Sequence, residues 1–319
     1  MSKFKKQRLI TLPVLTGLLS CSAYSIHAQV ASENYNLITG YGGTLLAQGN
    51  AGVNGSQQLK NNSCAPTAVA NGLSYLQAYG YSTDNNPFST SPNNYATVNA
   101  LQTAMQTDPV YATSGANALS GTQNYLIANP TTPTVAAYQN YIPTPQALAN
   151  VLNQNDGVQL GILWSTVANP IISGNSFTPM NGGHFVSLDA IDMAAGSGTI
   201  GILDPWGTGT PNGSGGFNAG TSPTQDSLDV TTVNIAAGGI NALPAGTYLE
   251  VTYANPIPPI GDFPSLPAGT AYAGAGGTGL IALDQFETLA SVPEPSSLVI
   301  SGLASAGIGG FVWLRRRKA

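Results

Sequence analysis

Between its two charged ends the chain carries a single cysteine, Cys64, so a fold built there has no intramolecular disulfide and must be held by a packed core. About 260 residues are available for it, enough for one domain with a sizeable core or one domain plus extensions. The other cysteine, Cys21, falls in the N-terminal segment, and so does His27. The body is left with one thiol, Cys64, and one imidazole, His184. These are the two residue types of a thiolate–imidazolium pair, although a lone cysteine in an apolar helix is commonly just a small core residue.

The two ends read as addresses. The start has Lys3, Lys5, Lys6 and Arg8, an apolar stretch from Leu9 to Leu19, and small residues before Gln29, which reads as a secretory signal peptide over 1–28, cleaved after Ala28. At the other end Val292-Pro293-Glu294-Pro295 precedes 18 uncharged residues from Ser297 to Leu314, then Arg315, Arg316, Arg317 and Lys318. That apolar stretch is expected to form a transmembrane helix through the inner membrane, with the basic cluster cytoplasmic. Residues 292–319 resemble the PEP-CTERM sorting signal of Gram-negative bacteria. The resemblance implies exosortase as a partner, export across the inner membrane, and a final place at the cell surface or outside the cell, in bacteria that make extracellular polysaccharide.

Charge excludes one class of partner. Eight of the nine basic residues lie in the two end segments, leaving Lys60 against thirteen carboxylates from Glu33 to Glu287. Without lysine and arginine there is nothing to neutralise a phosphate backbone, so no nucleic-acid ligand is expected. A zinc site would depend on several carboxylates, and no phosphate-binding glycine motif stands between a strand and a helix, so no cofactor is expected.

Along the body, 29–56 is rich in Gly, Asn and Ala and reads as an irregular lead-in or a short strand. From Cys64 the apolar residues Val69, Leu73 and Leu76 recur at helical spacing, Pro66 suits a first turn, and Gly80 can end the helix. A second helix is expected from Tyr95 to Met105 and a third from Pro145, with a long irregular loop between Thr113 and Thr134. VQLGILW then reads as a strand. HFVSLDAID from His184 and TIGILD from Thr199 flank a hairpin turn, with further strands near Asp229–Ile235 and Thr247–Tyr253. Residues 256–291, Pro-rich and then Gly/Ala-rich, read as a linker, which leaves 57–255 as the domain.

A nucleophilic cysteine is helped at a helix N-terminus, where unpaired amides and the helix dipole favour the thiolate, and Cys64 is placed there. His184 is its candidate base, and an acid must orient that imidazole. Asp189 lies an odd number of residues along the same strand and should face away. Asp192 faces the same way but about 26 Å off along an extended strand. Asp204 ends the returning strand of the hairpin and comes back to the level of His184, so it is the expected partner. Gln58, six residues before Cys64, is the expected side-chain donor to the oxyanion, with Gln57 as its rival.

The segments QLKNNSCAPTAVANGLSYL, GGHFVSLDAID and GILDPWGTG resemble the papain-like cysteine peptidases of the C39 type, which process bacteriocin leaders after a double glycine, and their soluble C39-like relatives. The resemblance implies an α+β papain-like fold, N-terminal helices packed on an antiparallel sheet, with Gln58, Cys64, His184 and Asp204 in the catalytic roles and a peptide or protein as substrate. Ala65 stands where such proteins commonly have glycine, and the transporter domains of the leader peptidases have no counterpart in the chain. The competing reading is a catalytically silent surface or matrix protein that binds polysaccharide or protein.

Overall fold

The structure is a computed structural model of the 319-residue chain, and it describes residues 30–34, 45–78, 82–83, 95–110, 112–141, 144–154, 156–165, 179–194, 196–207, 210–211, 217–235, 246–253 and 281–291. In chain order the described elements begin with β1 (Val30–Asn34), a short helix α1 (Gln57–Asn61), the long helix α2 (Cys64–Ala78) and β2 (Ser82–Thr83). Two helices follow, α3 (Tyr95–Ala104) and α4 (Gly115–Ala128), then β3 (Thr131–Thr132), β4 (Val135–Tyr141) and α5 (Pro145–Asn153). The rest is strand: β5 (Gly157–Ser165), β6 (Pro179–Ala194), β7 (Ser197–Asp204), β8 (Thr210–Pro211), β9 (Phe217–Asn218), β10 (Thr224–Ile235), β11 (Gly246–Tyr253) and β12 (Ile281–Ser291).

The main sheet runs β1-β6-β5-β12-β11-β10-β7, with β4 added beside β12, and every pairing in it is antiparallel. A further pairing of β6 with β7 joins the two arms, so six strands close on themselves. Strand β6 makes this possible through its length. Its first half pairs β5, up to Ser187 opposite Gln159, and its second half pairs β7, out to Ala194 opposite Ser197. Helices packed on an antiparallel sheet are the expected α+β, papain-like arrangement.

Helix α2 is laid on β5 and β6 by small residues. Ala65, Ala68, Val69, Leu73 and Leu76 are buried in one core with Leu160, Val186 and Leu188 of the strands. Gly72 lets the backbone come down on β5, since a methyl group there would strike the Gln159 side chain. A hydrogen bond from Ser187 Oγ to the Ala68 carbonyl, 3.1 Å, fixes the register of helix over strand. That register carries the site: Cys64 lies one turn before Ala68 and His184 three residues before Ser187.

Three expectations change. Thr113–Thr134 is not a long loop, because Ser114 caps α4 by accepting from the Asn117 amide, and the helix buries Ala118, Gly121, Thr122, Tyr125 and Leu126. Ahead of Tyr125 and Leu126 its inner face is Ala118, Gly121 and Thr122, which carry little apolar periodicity, and Gly121 sits so close to Met105 that no side chain fits. The stretch 256–291 is not linker throughout: β12 is an inner strand of the sheet, paired on one side with β5 and on the other with β11 and β4. The transmembrane helix is withdrawn, since among the described residues no helix is long and apolar enough to cross a membrane. The tail stretch is at the short limit for a span and holds four glycines, poor helix formers, and it lies outside the described residues. The signal-peptide segment lies outside them too, while the expected first, second and third helices stand as α2, α3 and α5.

Candidate active site

Cys64 opens α2. Ser63 precedes it, fully buried, and its carbonyl accepts from both the amide and the hydroxyl of Thr67, 3.1 and 2.8 Å, the first closed turn of the helix. Pro66 falls in that turn, where a missing amide hydrogen costs nothing. The Cys64 amide lies ahead of the helical ladder, where no carbonyl four residues back lies in the same helix. The thiol is free of any disulfide and 6% exposed.

His184 and Asp204 come from β6 and β7, joined by the tight turn at Gly196, whose φ of +88° suits glycine. The two side chains meet as expected: His184 Nε2 lies 2.7 Å from Asp204 Oδ1, a buried ion pair. Asp204 is held from the other side as well. The chain turns through Asp204-Pro205-Trp206-Gly207, with the Gly207 amide donating to the Asp204 carbonyl at 3.3 Å, and Gly207 takes φ +64°. In that turn the Trp206 backbone amide donates to Asp204 Oδ1 at 2.7 Å, so one oxygen accepts two hydrogen bonds. Trp206 itself is buried beside the pair.

With Nε2 committed to Asp204, Nδ1 is the ring nitrogen left for Cys64. Burial disfavours the imidazolium, but the Asp204 charge and hydrogen bond outweigh it, the Cys64 sulfur adds a hydrogen bond and a charge of the same sign, and the His184 pKa rises to about 10. Cys64 thus lies beside the ring that Asp204 holds. Asp226, behind Asp204 on β10, was not singled out. Burial raises its pKa, the Thr224 hydroxyl at 2.7 Å opposes that, and the Asp204 charge raises it further.

The rejected carboxylates are accounted for. A register shift between Leu188 and Ala190 puts Asp189 in a bulge of β6, where its carboxylate is taken by the Gln225 amide. Asp192 is exposed near the hairpin end. Gln58 sits on the first turn of α1, exposed, with no side-chain hydrogen bond among the described residues; Gln57, its rival, donates to Asn61 Oδ1 at 3.0 Å. Among the described residues no group of three or more His, Cys, Asp and Glu stands close enough to hold a metal ion.

Sequence reasoning missed Gln48. It sits in the supposed lead-in, fully buried, and no motif marks it; the run Leu45-Leu46-Ala47 before it is the one signal that the segment enters the core.

No curated protein and no solved structure matches the chain. Residues 291–318 match the PEP-CTERM protein-sorting motif. Residues 51–214, half of the chain and the part that holds Gln58, Cys64, His184 and Asp204, match the Peptidase_C39 like family, and to that family the chain belongs.

Proposed function

We propose that the protein is an exported thiol hydrolase that cleaves a peptide or amide bond with Cys64, His184 and Asp204. The observation that carries this reading is the buried His184–Asp204 pair at 2.7 Å with Cys64 beside the same ring at the start of a helix. The Cys64 thiolate attacks the carbonyl carbon. His184, protonated at Nδ1, then gives its proton to the leaving amine as the carbon–nitrogen bond breaks, and a thioester remains. Water attacks the thioester as His184 takes its proton, the carbon–sulfur bond breaks, and the acid leaves with the thiolate restored. Asp204 holds the ring by Nε2 throughout and stabilises its charge. The oxyanion is met by the Cys64 amide and by Gln58, swung in from the first turn of α1.

The sorting motif supports export and hand-over of the tail to an exosortase, so the substrate is met at the cell surface or outside the cell. Burial of Cys64 and His184, 6% and 3% exposed, favours a second reading, a catalytically silent surface protein that binds polysaccharide or protein. The two part on one experiment. The purified full chain is incubated with a complex mixture of peptides, and new termini are identified by mass spectrometry beside C64A. Cleavage products absent from the C64A digest support hydrolysis; identical digests from both proteins sink it and leave the binding reading.

A further inference from the structure

Gln48 is fully buried between the two halves of the site. Its side-chain Nε2 donates to the carbonyls of Lys60 at 3.1 Å and Asn61 at 2.8 Å. These lie in the last turn of α1, where the helix's own ladder runs out, and the Lys60 carbonyl also accepts from the Ser63 amide at 3.1 Å. Its backbone amide donates at 2.9 Å to the carbonyl of Pro205, the residue after Asp204. One residue therefore grips the chain just ahead of Cys64 with its side chain and the chain just past Asp204 with its backbone.

The segment around it is fixed on every side. Asn71 of α2 binds both the amide and the carbonyl of Leu46, at 2.9 and 3.0 Å. Gly49 lies against the backbone of Ala219 and Gly220, where a β-carbon would strike their carbonyls. That second strand of chain is itself tied to both halves: the Ala219 amide donates to Asn61 Oδ1 at 3.0 Å and the Gly220 amide to the Trp206 carbonyl at 2.8 Å. Gln48 is the point where these ties converge; its Oε1 is buried without a partner among the described residues, so the hydrogen bonds described for its side chain are those its Nε2 donates.

Resting on the reading that Cys64 and His184 act as a pair, we propose that Gln48 is a positioning residue of this site, holding the peptide planes that lead into Cys64 in register with the turn that presents Asp204. Misplacement of a reacting group by about 1 Å can cost on the order of 10²-fold in rate, so a clamp between the two halves acts directly on the chemistry.

The test follows iodoacetamide alkylation of Cys64 from pH 5 to 9 in the full chain, in Q48M, Q48E and H184A, with the melting temperature of each. Q48M keeps the bulk and removes both donors; Q48E, held neutral by its buried place, has one donor where there were two. The expected result is that Q48M labels roughly tenfold more slowly than the unmutated chain at pH 6, with its pH profile moved toward that of H184A, and that Q48E falls between. A lowered melting temperature with an unmutated pH profile would make Gln48 structural and overturn the proposal. Failure of both variants to fold would assign it to folding and overturn it as well. An unmutated chain that labels no faster than H184A would remove the pair itself, and the proposal with it, an outcome read without any Gln48 variant.

Discussion

Asp204 and Glu250 are equally buried carboxylic acids, each 5% exposed, on strands of the same sheet, and the fold treats them in opposite ways. Asp204 Oδ1 accepts from His184 Nε2 and from the Trp206 amide. Glu250, on β11 opposite Thr231 and Ala282, has an Oε2 with no partner among the described residues, and burial pushes its pKa up to about 7. Burial alone makes an acid hold its proton; burial beside an imidazole and a fixed amide makes its charge available to the neighbour. The lift of His184 to about 10 is the trace of that second treatment.

Removing the base has the largest expected effect. H184A should lower hydrolysis of any peptide the full chain cuts by about 10²-fold or more, measured as initial rate at pH 7. D204N comes next, because it leaves the ring its place and takes away the charge. The His184 ring signal, followed by NMR, should then titrate at or below the ordinary value of about 6.5, because burial, which disfavours the imidazolium, is no longer outweighed by the Asp204 charge. The sign for stability follows. A raised folded pKa stabilises the protein fully below about 6.5 and loses that contribution as pH rises through about 10, so D204N should cost most stability at acid to neutral pH and least at pH 10.

G207A tests the turn that presents Asp204. Its φ of +64° and the Ser222 carbonyl against its α-carbon leave no room for a methyl group, and a loss of about 1–3 kcal/mol in chemical denaturation is expected. The smallest effect belongs to the other acid. Glu250 carries a folded pKa above its unfolded one, so its penalty is absent at pH 4 and complete above pH 7. E250Q should raise the melting temperature by about 2–4 °C at pH 8.5 and leave it unchanged at pH 4. An equal gain at both values would mean that ionisation of Glu250 is not what the substitution relieves.

The site was legible where chemistry and local structure coincide. Cys64 could be placed because Pro66 and the spacing of Val69, Leu73 and Leu76 define a helix and its start, and Asp204 because a hairpin returns its second strand to the level of the first. Asp189 was set aside on alternation, and the bulge that actually carries it toward Gln225 has no sequence signal of its own. Helix α4 was hidden because only Tyr125 and Leu126 of its buried face are large and apolar, while Ala118, Gly121 and Thr122 pack by being small. Strand β12 was hidden by the Gly/Ala-rich run before it, and its burial depends on β5 and β11, remote in sequence. Gln48 was hidden for the same kind of reason: its side chain is spent on two backbone carbonyls, and a backbone partner leaves no mark on the sequence.

The central proposal is that Cys64 and His184 act as a pair held by Asp204, and the rate of Cys64 alkylation at pH 6 tests it most directly. The full chain is compared with H184A at the same pH and reagent concentration. The account expects the unmutated protein to react on the order of 10²-fold faster, the contribution of a positioned base to its nucleophile. Equal rates in two folded proteins would contradict it and leave Cys64 a buried residue of the core.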